Sequence, residues 1–272
     1  MHIAIDITPL STGHKDRGIG SYTKLLIEAL QKYEPTHTYT LFTRTDSLPK
    51  NVDLVHYPYF DPFFLTLPLY KTLPTVVTVH DLIPLVYPDK FPPGIKGRIK
   101  WEIQRFSLQG ASRVITDSMQ SKEDVIRLTH VSRDKIDVVY LAPGGQFRRM
   151  DHVKDKKTLE KVAKKYHVPK DFILYVGDVN WNKNIAGLLK AFEIVKSSFG
   201  KASTVSSSTV SSESNRSAEP TQDKQKSKQD IALVLVGKVF TDGSLPEVKE
   251  IKQLITQLNL AEDVRMIGFV PE

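Results

Sequence analysis

Three stretches carry side chains that could do chemistry, each just past an apolar run. VVTVHDLIPL puts His80 and Asp81 after a β-branched stretch. A histidine there can hydrogen-bond a hydroxyl or move a proton near neutral pH. It could equally be a histidine bonded to a neighbouring loop. YVGDVNWNKNIAGLLKAF ends an apolar run at Gly177, carries Lys183 in a polar loop and opens a helical pattern at Asn184. A lysine beside a helix amino terminus suits a diphosphate, because a point charge and backbone donors converge. The plainer reading is an exposed loop lysine. The third stretch is Arg17-Gly18-Ile19-Gly20-Ser21, where glycines at a helix start let backbone amides approach a phosphate, or simply make a turn. His56 in DLVHYPYF is placed like His80, and Tyr57, Tyr59 and Phe60 beside it suit an acceptor pocket or a core edge.

Strands must deliver these residues, and the hydrophobic pattern supplies them. HIAIDI precedes IGSYTKLLIEALQKY, where Ile19, Tyr22, Leu25, Leu26, Ala29 and Leu30 recur at helical spacing. YTLFT, DLVHY and PTVVTVHD read as strands, IKGRIKWEIQRFSLQ as a helix, RVITDS as a strand and SKEDVIRLTH as a helix opened by Ser118 or Ser121. IDVVYLAP closes this half. The alternation then restarts with TLEKVAKKYHV, FILYVGDV and NIAGLLKAFEIVKSSF, followed by IALVLVGKV, LPEVKEIKQLITQLNL and VRMIGFVP. Strand–helix alternation implies parallel sheets with right-handed crossovers. The expectation is an α/β chain of two Rossmann-like domains, 1–148 and 149–272, dividing near Pro143, Gly144 and Gly145. Three strands in the second domain fall short of the five or six of a doubly wound sheet, so that domain is expected to be incomplete. Residues 200–230 hold almost no large apolar side chain and are expected to be a disordered insertion.

The 272 residues include 38 Lys+Arg and 31 Asp+Glu, a net charge of +7. The excess is spread along the chain, which argues against nucleic acid as a partner. Zero cysteines exclude disulfides and thiolate metal sites. MHIAIDITPL lacks a basic n-region and no apolar run is long enough to span a bilayer, so a cytoplasmic location is expected.

RGIGSYTKLLIEAL, VVTVHDLIPL, VITDSMQSKEDVIR, VVYLAPG, the YVG strand with Lys-Asn and LLKAF, LVLVG and IGFVP occur in an order that resembles glycosyltransferase family 4. The resemblance covers nearly the whole chain outside residues 200–230. It implies the GT-B architecture and retaining transfer of a sugar from a nucleotide diphosphate donor to an acceptor hydroxyl, with no metal and no cofactor. The acceptor class is a sugar, a polysaccharide or a lipid-linked molecule. Gly18 matches the glycine near the donor phosphates, with Gly20 adjacent. His80 matches the histidine near the transferred sugar, and Lys183, beside Gly177 and Asn184, matches the lysine that neutralises the leaving diphosphate. Gly268, Phe269 and Val270 match the segment lining the nucleobase pocket. Two positions depart from the pattern: Asp178 stands where many members have Arg, and Arg17 where they have the first of two glycines. The family's two-glutamate motif would lie beyond Glu272. A GT-B nucleotide-sugar epimerase and a non-catalytic sugar-nucleotide-binding subunit are the alternatives.

In the helix around 95–109, Ile95, Ile99, Ile103 and Phe106 read as the core face. Arg98, Trp101 and Arg105 then line one flank, with Lys96 and Lys100 on the other side. Cations around an aromatic suit peripheral contact with the inner face of a membrane, or an ordinary solvated face with Trp101 against a loop.

Overall fold

The computed structural model describes residues 1–48, 50–145, 147, 156–202 and 231–270. The expected insertion at 200–230 lies outside the described residues, except for 200–202 at a helix end. The chain divides into two compact units, Met1–Arg148 and Arg149–Glu272.

The first unit follows the alternation in its sequence: β1 (His2–Asp6), α1 (Gly18–Tyr33), β2 (Thr38–Phe42), β3 (Leu54–Tyr57), β4 (Thr75–Val79), α2 (Ile83–Val86), α3 (Gly94–Gln109), β5 (Arg113–Thr116), α4 (Met119–Thr129) and β6 (Ile136–Val138). All six strands are parallel in the order β2-β1-β3-β4-β5-β6. The chain leaves β1 in one direction and returns with β3 on its other side. The β1/β3 junction is therefore a topological switch point, where loops diverge and leave a crevice at the strands' carboxyl ends. Apolar residues on both faces of the sheet explain the near-continuous β-branched runs: Ala4, Val55, Val77, Val79 and Val114 are all buried. Ser118 settles the start of α4, its side chain accepting from the Ser121 amide at 3.1 Å.

Two connections depart from the α/β rule among the described residues, 43–53 between β2 and β3 and the longer 58–74 between β3 and β4. Residues 58–74 join two parallel strands without a helix. The buried Gln104 of α3 holds them instead: its Oε1 accepts from the Thr66 amide (2.9 Å), the Thr66 hydroxyl (2.7 Å) and the Leu67 amide (3.1 Å). Ser107 donates to the Pro68 carbonyl at 2.7 Å. This contact inverts the expected orientation of α3. The inward face carries Gly97, Gln104, Ser107 and Leu108, with Trp101 packed against the core. Ile95, Ile99, Ile103 and Phe106, expected in the core, are exposed. A loop backbone needs hydrogen bonds rather than isoleucines, and a Cβ at Gly97 would come within 2.9 Å of Pro93.

The second unit contains α5 (Lys156–Lys165), β7 (Phe172–Val176), α6 (Ile185–Ala202), β8 (Ala232–Val236), α7 (Pro246–Gln257) and β9 (Val264–Ile267). Its three strands are parallel in the order β7-β8-β9. Leu233 and Leu235 pack against Leu189 and Phe192 of α6 and Val248 and Ile251 of α7. Among the described residues no helix is long and apolar enough to cross a membrane.

Candidate functional site

Parallel strands carry their chemistry at their carboxyl ends, so the residue after each strand is the place to look. In the first unit those positions converge. His80 follows β4, and its Nδ1 lies 2.6 Å from Oδ2 of Asp117, the residue after β5. His80 Nε2 sits 3.1 Å from the Pro58 carbonyl, after β3. Its own carbonyl accepts from the Ser121 hydroxyl at 2.8 Å, fixing the strand end to the start of α4. Tyr22 of α1 meets the His80 ring edge-on at 4.6 Å and reaches the Thr78 hydroxyl at 3.2 Å. Burial pushes the Tyr22 hydroxyl pKa up, so it stays protonated. His80 is thus held in one orientation by contacts to both ring nitrogens.

Two polar atoms of the first unit are buried without a hydrogen-bond partner among the described residues: Asp117 Oδ1 in this cluster and His14 Nδ1 in the loop before α1. Buried groups of this kind are rare in folded proteins and are what a ligand's hydroxyls would satisfy. His14 lies in the loop before α1, with its ring 4.6 Å from that of Tyr59. Its pKa is lowered, first by burial and then by Arg17, which favours the neutral ring.

The other candidates in this unit separate. A Cβ on Gly18, the first residue of the 16-residue α1, would meet nothing within 4 Å, so packing alone does not require a glycine there. Gly20 is different. Its amide donates to the His14 carbonyl at 3.1 Å, and a Cβ there would lie 2.4 Å from the His14 and Lys15 carbonyls. Gly20 is therefore a packing glycine whose N–H is committed within the protein. His56 is buried, with Nε2 2.9 Å from the Thr78 hydroxyl. Burial, and secondarily the nearby His80, depress its pKa to about 4. It is a neutral scaffold residue. Phe60 joins the core, and Tyr57 joins it while also bordering a cavity. Tyr59 is buried and donates to Asp61 at 2.7 Å.

Sequence reading missed the partners. Asp117 and Asp6 each stand at the end of a β-branched run, the signal that selected His80. Asp6 Oδ2 accepts from Arg44 Nε at 2.9 Å, and its Oδ1 accepts from the Thr8 amide at 2.9 Å. Asp6 is fully buried and Arg44 only partly so, and the network ties the ends of β1 and β2 together. A cavity of about 360 Å³ adjoins Arg44, between Phe42, Tyr57 and the loop at Leu65–Leu73, away from His80.

In the second unit each strand ends in a glycine: Gly177, Gly237 and Gly268. Gly177 donates to the Val236 carbonyl at 3.0 Å and Gly237 to the Ile267 carbonyl at 3.1 Å, so the ladder runs on through them. A Cβ at Gly237 would stand 2.2 Å from the Gly177 carbonyl oxygen, and one at Gly268 would stand 2.7 Å from Thr241. Asn184 adopts a left-handed conformation, and its Oδ1 accepts from the Gly187 amide at 3.1 Å. It caps α6 with a side chain already in use. Lys183 is exposed in the turn before it, and Phe269 is exposed after β9, followed by the half-buried Val270. Among the described residues no group of three or more His, Asp or Glu could hold a metal ion.

Chains built on two parallel sheets of this kind are found among known proteins. Residues 29–142 match the model of Glycosyltransferase Family 4. Over that stretch, which is less than half of the chain, the sequence is similar to glycosyltransferase family 4. It is 25% identical over 121 residues to the serotype-specific mannosyltransferase WbdA of Escherichia coli, covering 44% of this chain and 15% of that protein. The chain thus spans about 15% of the length of the curated relatives it matches. Its fold is GT-B, shared with HepE of Anabaena, solved with UDP and glucose (TM-score 0.54, 16% identity, 99% of this chain and 69% of that one). WaaG, a glycosyltransferase involved in lipopolysaccharide biosynthesis, has the same fold (TM-score 0.57, 10% identity, 98% and 70%). The family match lies within the unit that holds His80 and Asp117.

Proposed function

We propose that this family 4-like chain moves a sugar from a nucleotide diphosphate donor to an acceptor hydroxyl with retention of configuration. In this reaction the bond between the sugar C1 and the diphosphate oxygen breaks. A bond from C1 to the acceptor oxygen forms on the same face, and the acceptor proton leaves with the nucleoside diphosphate. The reading rests on one observation above the rest. His80 and Asp117 form an oriented pair at the carboxyl edge of the first sheet, and Asp117 keeps a buried acceptor atom with no partner among the described residues.

In this reading His80 and Asp117 meet the hydroxyls of the transferred sugar, and the amino end of α1 at Gly18 faces the donor phosphates. Lys183 neutralises charge on the departing diphosphate, an electrostatic contribution that grows as the bond breaks. Gly177 and Gly237 keep the strand ends low beneath the nucleotide, and Gly268, Phe269 and Val270 line the base. Asn184 contributes by holding the start of α6. The acceptor is a sugar, a polysaccharide or a lipid-linked molecule, and no metal is assigned a role.

The experiment is incubation of the chain with a panel of labelled nucleotide sugars and oligosaccharide acceptors, with products resolved by NMR. Release of nucleoside diphosphate together with a product retaining the donor's anomeric configuration supports the proposal. An inverted linkage removes the retaining step. A free epimerised nucleotide sugar would establish the epimerase alternative, and donor binding without turnover the non-catalytic one.

A further inference from the structure

The cavity beside Arg44 stands apart from His80, and the proposed reaction leaves it unused. The helix-free connections 43–53 and 58–74 wall it against β2 and β3, and where no crossover helix packs about 360 Å³ is left open. That is the size of a small-molecule site. The sheet supplies Phe42, Val55 and Tyr57, and the 58–74 loop supplies Leu65, Leu67 and Tyr70. The loop wall is preformed, because Gln104 Oε1 accepts from the Thr66 and Leu67 amides.

Two neighbouring donors in this cavity are not used up. Arg44 gives Nε to Asp6 Oδ2 at 2.9 Å and Nη1 to the Leu65 carbonyl at 3.5 Å. Its Nη2 has no hydrogen-bond partner among the described residues. Tyr57 is only 6% exposed, with its ring edge-on to Phe42 at 6.1 Å, yet its hydroxyl has no partner among the described residues either. Burial, and then the nearby Asp6, push the hydroxyl pKa up against the opposing effect of Arg44, so it stays a donor. A guanidinium N–H beside a phenol O–H suits a carboxylate.

Charge supports the same choice. Asp46, the acid in the lining, is exposed, and its Oδ2 already accepts from the Thr43 amide (2.7 Å) and hydroxyl (2.8 Å). Asp6 and Arg44 offset one another. Lys71, half-buried in the wall, has no carboxylate partner among the described residues. Its ammonium donates to the Pro68 and Ser107 carbonyls and to the Ser107 hydroxyl at 2.8 Å. Burial of this cation depresses its pKa to about 8, and an anion nearby would relieve that cost. Tyr70, 80% exposed at the rim, offers a ring face on which an aromatic body can stack.

We propose that this cavity binds a small aromatic carboxylic acid, its carboxylate accepting from Arg44 and Tyr57 and its ring lying among Leu65, Leu67 and Tyr70. The site does not depend on the transfer reaction.

The test compares cinnamate with its uncharged amide, cinnamamide, by isothermal calorimetry and saturation-transfer NMR on the full chain. Cinnamate should bind with a Kd of about 1 mM or tighter, the scale for a ligand of its size. Cinnamamide should bind about tenfold more weakly, having lost the charge-assisted hydrogen bonds. Tyr57→Phe removes only the unpartnered hydroxyl, so it should keep the wild-type melting temperature and weaken cinnamate by about three- to tenfold. Leu65→Trp, at a side chain 55% exposed, should fill the cavity and abolish binding of both compounds without unfolding the chain. Absence of cinnamate binding in the millimolar range overturns the proposal, and equal affinity for acid and amide removes the carboxylate from it. Binding that Tyr57→Phe and Leu65→Trp both leave unchanged would place the compound elsewhere and refute the site.

Discussion

Acidification should destabilise the first unit through His56 in a way that can be calculated. Its imidazole is buried, with a pKa near 4 against 6.5 for the free side chain, because desolvation and secondarily His80 oppose its charge. Above about pH 6.5 the ring is neutral in both folded and unfolded chains and contributes no pH dependence. Below that, the unfolded chain takes up a proton that the folded chain refuses, so stability is lost as pH falls towards 4. At about pH 4.5 the difference in proton binding amounts to about 2.5 kcal/mol, approaching about 3.4 kcal/mol at lower pH. Other groups titrate in this window, so the measurement is a comparison. Wild type and His56→Gln are unfolded in urea at about pH 7.5 and about pH 4.5. Glutamine keeps a hydrogen bond to Thr78 but cannot be protonated. Wild type should lose about 2.5 kcal/mol more than the variant between the two conditions. Parallel losses would refute the reasoning: His56 would not be held neutral, and its place as scaffold rather than proton carrier would fall.

His80→Ala and Asp117→Asn should each lower kcat/KM for transfer by about ten- to a hundredfold, the scale of losing a charge-assisted hydrogen bond. Their double variant should be little worse than either alone; strictly additive losses would show that the 2.6 Å contact does not couple them. Lys183→Ala should slow transfer by roughly ten- to a thousandfold, while leaving the melting temperature unchanged because the side chain is exposed; unchanged turnover at saturating donor removes it from the mechanism. Gly237→Ala forces a Cβ to 2.2 Å from the Gly177 carbonyl and should cost about 1–3 kcal/mol. Calorimetry reads it, and an unaltered melting temperature would mean that β7 and β8 separate without cost.

Much of the architecture was written in local pattern. Apolar runs such as VVTV and LVLV are long enough to be strands covered on both faces, and their alternation with helical periodicity leaves parallel sheets as the consistent arrangement. The same locality made His80 visible, since a polar residue one step past a buried strand is at the carboxyl edge wherever that strand lies in the sheet. Partners across the sheet were another matter. Asp117 meets His80 only because β5 is hydrogen-bonded to β4, and Tyr22 reaches it only because α1 packs back over the same edge. Strand order is a long-range outcome that no sequence window contains. Glycine roles divided for the same reason: Gly18 and Gly20 are neighbours in sequence, yet one faces open space and the other the His14 carbonyl. The clearest case is α3. Periodicity locates its apolar stripe but does not say which side the protein covers. Residues 58–74 form a helix-free loop whose backbone must be satisfied by Gln104 and Ser107, so the polar face turns inward and the isoleucines turn out.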